Sequence, residues 1–184
     1  YTPESILDFV KRVGVAKAYS IVDIGLLEHC IRAEQNEKSF RKIAVLDPIK
    51  VEVINYPEGK EEFFSLPNNP QNLEAGVREV PFTRELYIDR NDFAEVPPPK
   101  FHRLKPGGEV RLMGSYIIQC QEVVKDSEGN IEKILCTCDL ETGCGNPADG
   151  RKVKGTIHWL SADRALDTEI RVYDRLFTLE NVFD

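Results

Sequence analysis

From Lys42 onward the apolar residues stop recurring at helical spacing and begin to alternate, which restricts the chain to a helical piece followed by a β-rich body. Before that change, Thr2-Pro3-Glu4 supplies a capping hydroxyl, a proline for the first turn and an acid for the positive end of the helix dipole. Ile6, Phe9, Val10 and Val13 follow at helical spacing, and Gly14 is placed to stop the helix. Ser20 with Asp23 resembles a capping box for a second helix, whose apolar stripe is Ile24, Leu27 and Ile31. The two stripes predict a packed helix pair, with His29 at its surface.

After Lys42, Ile43 to Pro48 and Ile49 to Ile54 read as strands broken at Asp47-Pro48. Strand-like runs recur at Glu61 to Leu66, Val77 to Phe82, Glu85 to Ile88, Glu109 to Leu112, Tyr116 to Val124, Ile131 to Cys138, Gly155 to Leu160 and Glu169 to Tyr173. The turns between them are rich in Pro, Gly and Asn, and Asp126 to Asn130 is the clearest hairpin. Many short strands with regular turn signals predict a β-barrel or sandwich. Trp159, Tyr173 and Phe177 are the expected core aromatics.

The run from Phe101 to Leu112 stands out chemically. It sets Lys100, Arg103, Lys105 and Arg111 against a lone Glu109, beside an aromatic, in a chain whose formal net charge is −7. The overall field of such a chain repels polyanions, so any polyanion must be held by a local patch. Guanidinium forks suit base edges and phosphates, and an aromatic face suits stacking, which is the composition of a single-stranded RNA site. Pro97-Pro98-Pro99 is expected to hold the run extended.

Other chemistries lack their residues. There is no Gly-rich phosphate loop, no G-x-S-x-G elbow and no H-E-x-x-H helix. Cys136, Cys138 and Cys144 have no fourth ligand at zinc-site spacing, and the odd total of five cysteines fits a reducing compartment better than a disulfide framework. No apolar run approaches the roughly 20 residues of a membrane span. These readings describe a cytoplasmic binding module without a catalytic or metal constellation.

Several stretches, taken in order, match one family: Arg41 to Pro48, Asn55 to Gly59, Arg78 to Phe82, Glu85 to Phe93, Gly108 to Leu112, Asp149 to Trp159 and Arg171 to Phe177. Across essentially its whole length the chain resembles the C-terminal half of the glutaminyl-tRNA synthetases, class I aminoacyl-tRNA synthetases. The resemblance implies a mainly β fold, with a helical connector over residues 1–38 and an anticodon-binding β-barrel region over 39–184. That region would hold a proximal barrel and the start of a distal one. It implies glutamine tRNA, met at the anticodon loop, and an N-terminal catalytic domain of the same polypeptide as partners, and neither DNA nor a membrane. ATP with Mg is implied only for the complete enzyme, because the HIGH and KMSKS signatures of the catalytic domain do not occur here. The chain is therefore expected not to aminoacylate by itself.

By the same resemblance Arg41 matches a reader of the middle anticodon base, Arg103 of the third and Arg111 of the first, while Asn36 matches a nearby polar contact. Gln71 stands where the bacterial pattern has Asn, Lys100 where it has Gln and His102 where it has Lys, which leaves phosphate contact as the natural chemistry of Lys100 and His102. Arg151, Lys152 and Lys154 form a second basic cluster that reads equally as an exposed turn. Two alternatives stay open: the anticodon domain of an archaeal or eukaryotic type of glutamyl-tRNA synthetase, and a β-barrel interaction module with no RNA role.

Overall fold

Local capping chemistry sets the first element. In the computed structural model, which describes residues 1–147 and 149–174, helix α1 spans Pro3–Val13 and ends at Gly14, where φ is +71°. The Thr2 hydroxyl accepts from the Ser5 amide and the Ser5 hydroxyl accepts from the Thr2 amide, each at 3.2 Å. Helix α2 spans Ile24–Lys38. Its cap is Asp23, whose carboxylate accepts from the Gly25 amide at 2.6 Å. The expected box opening at Ser20 starts three residues too early, because the short Asp side chain reaches the second helical amide by itself.

The helices pack with only part of their apolar stripes sheltered, Phe9, Leu27 and Ile31 being half-buried. Ser5 and Cys30 are the buried residues of the pair, and the Thr2 hydroxyl donates to Glu34 across it. Ile6 and Val10 stay 44% and 53% exposed.

Beyond the helices, residues 41–47 run without ladder pairing, so the strand expected from Ile43 is not formed. The segment is instead tied at its ends: the Arg41 amide donates to the Asn68 carbonyl at 2.6 Å and the Leu46 amide to the Asp89 carboxylate at 3.4 Å. The strands are β1 (Pro48–Val53), β2 (Glu62–Pro67), β3 (Val77–Phe82), β4 (Glu85–Asp89), β5 (Glu109–Leu112), β6 (Ile117–Lys125), β7 (Ile131–Cys138), β8 (Thr156–Ile157) and β9 (Leu160–Ser161). Seven of them form one sheet in the order β8-β5-β6-β7-β1-β4-β9, and β2 and β3 form a separate ribbon. β1 pairs parallel to β7 and antiparallel to β4, and β5 pairs parallel to β8.

The two edges of the large sheet, β8 and β9, are separated in the chain only by His158 and Trp159. One six-residue segment therefore serves both edges and curls the sheet toward a barrel. Trp159 is fully buried at that seam, and its indole N–H donates to the Met113 carbonyl at 3.0 Å. Around it the alternate positions Val51, Leu86, Ile88, Val110, Leu112, Ile118 and Ile134 are fully buried, as the period-2 pattern requires. Phe82 meets Trp159 and Tyr56 edge to face at 5.1 and 5.0 Å. The hydroxyls of Tyr56 and Tyr116 both donate to Glu62, at 2.6 and 2.8 Å.

Three further expectations are corrected. Glu169 to Tyr173 is not a strand, and Tyr173 is 86% exposed rather than core; Phe177 lies outside the described residues. The proline run does not hold the basic segment extended. The Phe101 amide donates to the Pro98 carbonyl at 3.2 Å, and Lys100 sits at φ +65°. That is a tight turn with proline at its second position and left-handed backbone at its third, a place that normally takes Gly or Asn. Cys120, Cys136 and Cys138 are buried strand thiols, whereas Cys144 lies in an exposed loop.

Candidate nucleic-acid interface

A helix leaves its last carbonyls without intrahelical partners, and at the end of α2 one side chain gathers them. The Asn69 amide, fully buried, donates to the carbonyls of Asn36, Glu37 and Ser39 at 3.1, 2.9 and 3.1 Å. Its oxygen accepts from the Gln71 amide at 2.9 Å. The Arg41 guanidinium closes the same cluster, donating to the Asn36 carbonyl at 3.0 Å and its side-chain oxygen at 3.2 Å. Asn36, Arg41 and Gln71 are thus brought together around Asn69, with the Gln71 side chain exposed.

From Arg41 the extended segment leads to Ala44, Val45 and Leu46, which line a pocket of about 590 Å³. Three residues of extended chain span at most about 10 Å, so Arg41 stands within that distance of the pocket rim. Asn91, Asp92, Arg103, Thr156 and His158 supply other walls. Fully buried Leu104 pins the loop beside it, since its amide donates to the Asp92 carbonyl and its carbonyl accepts from the Ala94 amide. Arg103 is half-exposed and donates to the Asp92 carboxylate and, at 3.3 Å, to the Asn91 carbonyl. Burial holds the Asp92 carboxyl above the usual carboxylate range, and the Arg103 charge pulls it the other way. The guanidinium is anchored through one terminal nitrogen, and its side chain stays 51% exposed.

Arg111 lies on the outer face of β5, in register with Thr156 of β8. Neighbours in a parallel register share a face, so Arg111 stands next to the pocket wall on the side away from the core. No carboxylate pairs with it among the described residues. It donates instead to the carbonyls of Ser115, Gly143 and Gly145, at 3.4, 3.4 and 2.6 Å. The 101–103 loop is clamped at Gly155, just before β8, where an added Cβ would lie 1.9 Å from the His102 carbonyl oxygen. Arg103 and Arg111 therefore flank Thr156, and Arg41 lies at the far end of the segment that lines the same pocket. Lys100 and His102 are exposed on the turn leading to Arg103.

Among the described residues the cations that lack a carboxylate within 4.0 Å include Arg41 and Lys42 on the segment leading to the pocket, Lys100 and Lys105 on either side of Arg103 in the chain, Arg111 beside Thr156, and Lys152 and Lys154 just before Thr156. Lys11, Lys17, Arg32 and Arg78 complete that set among the described residues, and Arg78 donates to the Pro67 carbonyl, two residues before Asn69. Arg151 is withdrawn from the second basic cluster, because Glu109, Asp139 and Asp149 all bind it, at 3.1, 2.7 and 2.7 Å. The Thr142 hydroxyl and Arg151 hold the Asp139 carboxyl down at about 2. Among the described residues no group of three or more His, Cys, Asp or Glu is placed to hold a metal ion, and no helix is long and apolar enough to cross a membrane.

Sequence reasoning missed Asn69 and Asp92. Pro67-Asn68-Asn69-Pro70 reads as a turn, and no local pattern shows that its amide reaches back 30 residues or more.

The chain matches the family of class I (E and Q) tRNA synthetase anticodon-binding domains over residues 39–139, and a second family of the same description over residues 156–183. It is 54% identical over 181 residues to the glutamine–tRNA ligase of Vibrio parahaemolyticus, covering 98% of the chain and 33% of the relative. The glutamine–tRNA ligase of Rhodopirellula baltica is 52% identical over 181 residues, 98% of the chain and 30% of the relative. That of Clostridium kluyveri is 50% identical over 176 residues, 96% and 32%. The chain spans about a third of the length of the curated relatives it matches.

Proposed function

The chain belongs to the family of class I (E and Q) tRNA synthetase anticodon-binding domains, and on that premise we propose that it reads the anticodon of a glutamine tRNA for a longer cytoplasmic glutamine–tRNA ligase. The observation that carries the proposal is the placing of two guanidinium groups at one pocket, in a chain of net charge −7: Arg103 in its wall, and Arg111, which has no carboxylate partner among the described residues, in register with Thr156 of the same wall. Single-stranded bases splayed from a loop offer their Watson–Crick edges to guanidinium forks. Arg41 reads the middle base, Arg103 the third and Arg111 the first. Asn36 and Gln71 add polar contacts beside Arg41, and Lys100 and Lys105 hold phosphates.

The anchoring of each fork has a physical purpose. Asp92 and Asn91 immobilise one edge of Arg103, the loop carbonyls do so for Arg111, and Asn36 for Arg41. Each therefore loses less rotamer entropy when a base binds. Arg111 exchanges some of its weak carbonyl contacts for the edge of the base it meets.

Activation of glutamine by ATP and Mg, in this reading, takes place in an N-terminal catalytic domain of the longer ligase. The described residues do not fit those groups: no cluster is placed for a metal ion and no Gly-rich phosphate loop occurs. No step of that chemistry is assigned to them.

Filter binding of glutamine and glutamate tRNA transcripts, with anticodon swaps, tests the reading. Arg103→Ala or Arg111→Ala should cost about 1–3 kcal/mol of discrimination at one anticodon position. Equal weakening of every anticodon variant would refute the base-reading roles. Preference for the glutamate transcript would point to the glutamyl type of enzyme, and no binding above that of an unrelated RNA would leave only the interaction module.

A further inference from the structure

Residues 151–159 alternate strictly between sheltered and open positions, with Lys152, Lys154, Thr156 and His158 exposed. The alternation is that of a strand, and its backbone agrees: the Gly155 and Ile157 carbonyls accept from the Arg111 and Met113 amides at 2.9 and 3.0 Å. Extending the register from Arg111↔Thr156 back by two residues sets Lys154 beside Glu109. Successive outward side chains on such a strand stand about 7 Å apart. Lys152 and Lys154 thus continue, on one face, the line that Thr156 begins between Arg103 and Arg111.

Two features free these lysines for an external anion. Arg151 engages the nearby Glu109, Asp139 and Asp149 directly, and none of the three pairs with either lysine. Neither lysine has an ion pair among the described residues. We infer that Lys152 and Lys154 form a phosphate track that holds the RNA backbone next to the nucleotides met by Arg103 and Arg111. The inference rests on the anticodon reading. It adds that binding strength, as distinct from base choice, is supplied partly by this strand. Lysine on an edge strand also keeps other chains from pairing with it, and β8 is an edge strand, so the two roles must be separated.

The test is filter binding of glutamine tRNA transcript by the 184-residue chain across a salt series. Wild type, Lys152→Ala/Lys154→Ala, Lys152→Arg/Lys154→Arg and Arg111→Ala are compared. Each phosphate contact on a single strand contributes about 0.7 to the slope of log affinity against log salt. The double alanine variant should lower that slope by about 1.4, weaken all anticodon variants by the same factor, and be rescued by the double arginine variant. In wild type, bound tRNA should also protect both lysines from acetylation. An unchanged slope with unprotected lysines overturns the inference, and new self-association of the alanine variant alongside that result assigns the lysines to edge protection. If Arg111→Ala still loses anticodon discrimination in the same assay, the anticodon reading survives that failure. If wild type shows no anticodon preference, the reading itself has failed.

Discussion

Replacing Asn69 with aspartate changes one NH2 group to an oxygen and leaves the side-chain shape intact. In the wild-type fold that NH2 faces three carbonyls at 2.9–3.1 Å, at the negative end of α2, in a site closed to solvent. Asn69→Ala removes two N–H donors and the acceptor for the Gln71 amide. At a net contribution near 1 kcal/mol per bond, with the added cost of buried groups left unpaired, the loss should be about 2–4 kcal/mol. Asn69→Asp is expected to do more damage at neutral pH, about 4 kcal/mol, because a carboxylate replaces the donor opposite three carbonyls and the helix dipole. The buried acid is stabilised in its protonated form, so the deficit should shrink as pH falls toward about 4 and grow as pH rises. Urea denaturation of the three proteins at about pH 4 and pH 7 measures this. If Asn69→Asp matches wild type at neutral pH, or outlasts Asn69→Ala there, the claim that this amide caps α2 is refuted. Because Arg41 leans on the same Asn36 carbonyl, discrimination at the middle anticodon base should fall with stability.

Arg103→Ala removes the cation beside buried Asp92, whose carboxyl burial already raises. The folded state then favours the protonated acid more strongly, so the variant should be near wild-type stability in acid and lose about 1–3 kcal/mol as pH rises through the raised carboxyl range. Adding Asp92→Asn should remove most of that pH dependence, and thermal melts at several pH values decide it. Gly155→Ala would drive a methyl group into the His102 carbonyl. A loss of about 2–3 kcal/mol is expected, with Arg103 displaced from β8 and third-base discrimination reduced in filter binding. A variant that melts like wild type would disprove the clamp.

What the sequence revealed was local chemistry. Thr2, Pro3 and Gly14 bound α1 by contacts within four residues, and the alternation in Pro48–Val53, Glu109–Leu112 and Ile131–Cys138 follows directly from one buried face. The hairpin at Asp126 is equally local, since its carboxylate accepts from the amides of Glu128 and Asn130. Distant partners stayed hidden. Ile43 to Leu46 have strand composition, yet Asn68 and Asp89 hold the segment away from any ladder. The prolines before Lys100 look stiff, but the bend comes from the lysine's own left-handed backbone. By resemblance, Arg41, Arg103 and Arg111 match ligands for bases. What fixes them, Asn36, Asp92 and a loop's carbonyls, depends on the tertiary arrangement.

The six residues from Thr156 to Ser161 pair with β5 on one side and β4 on the other. The second family match begins at residue 156, so the first six of the residues that similarity assigns to a separate module close the sheet of the first. The hydrogen-bonded sheet crosses that division. Splitting the chain at residue 155 to isolate an autonomous anticodon domain would expose β4, β5 and the cavity left by Trp159. An excision meant to simplify the protein would instead unlatch it.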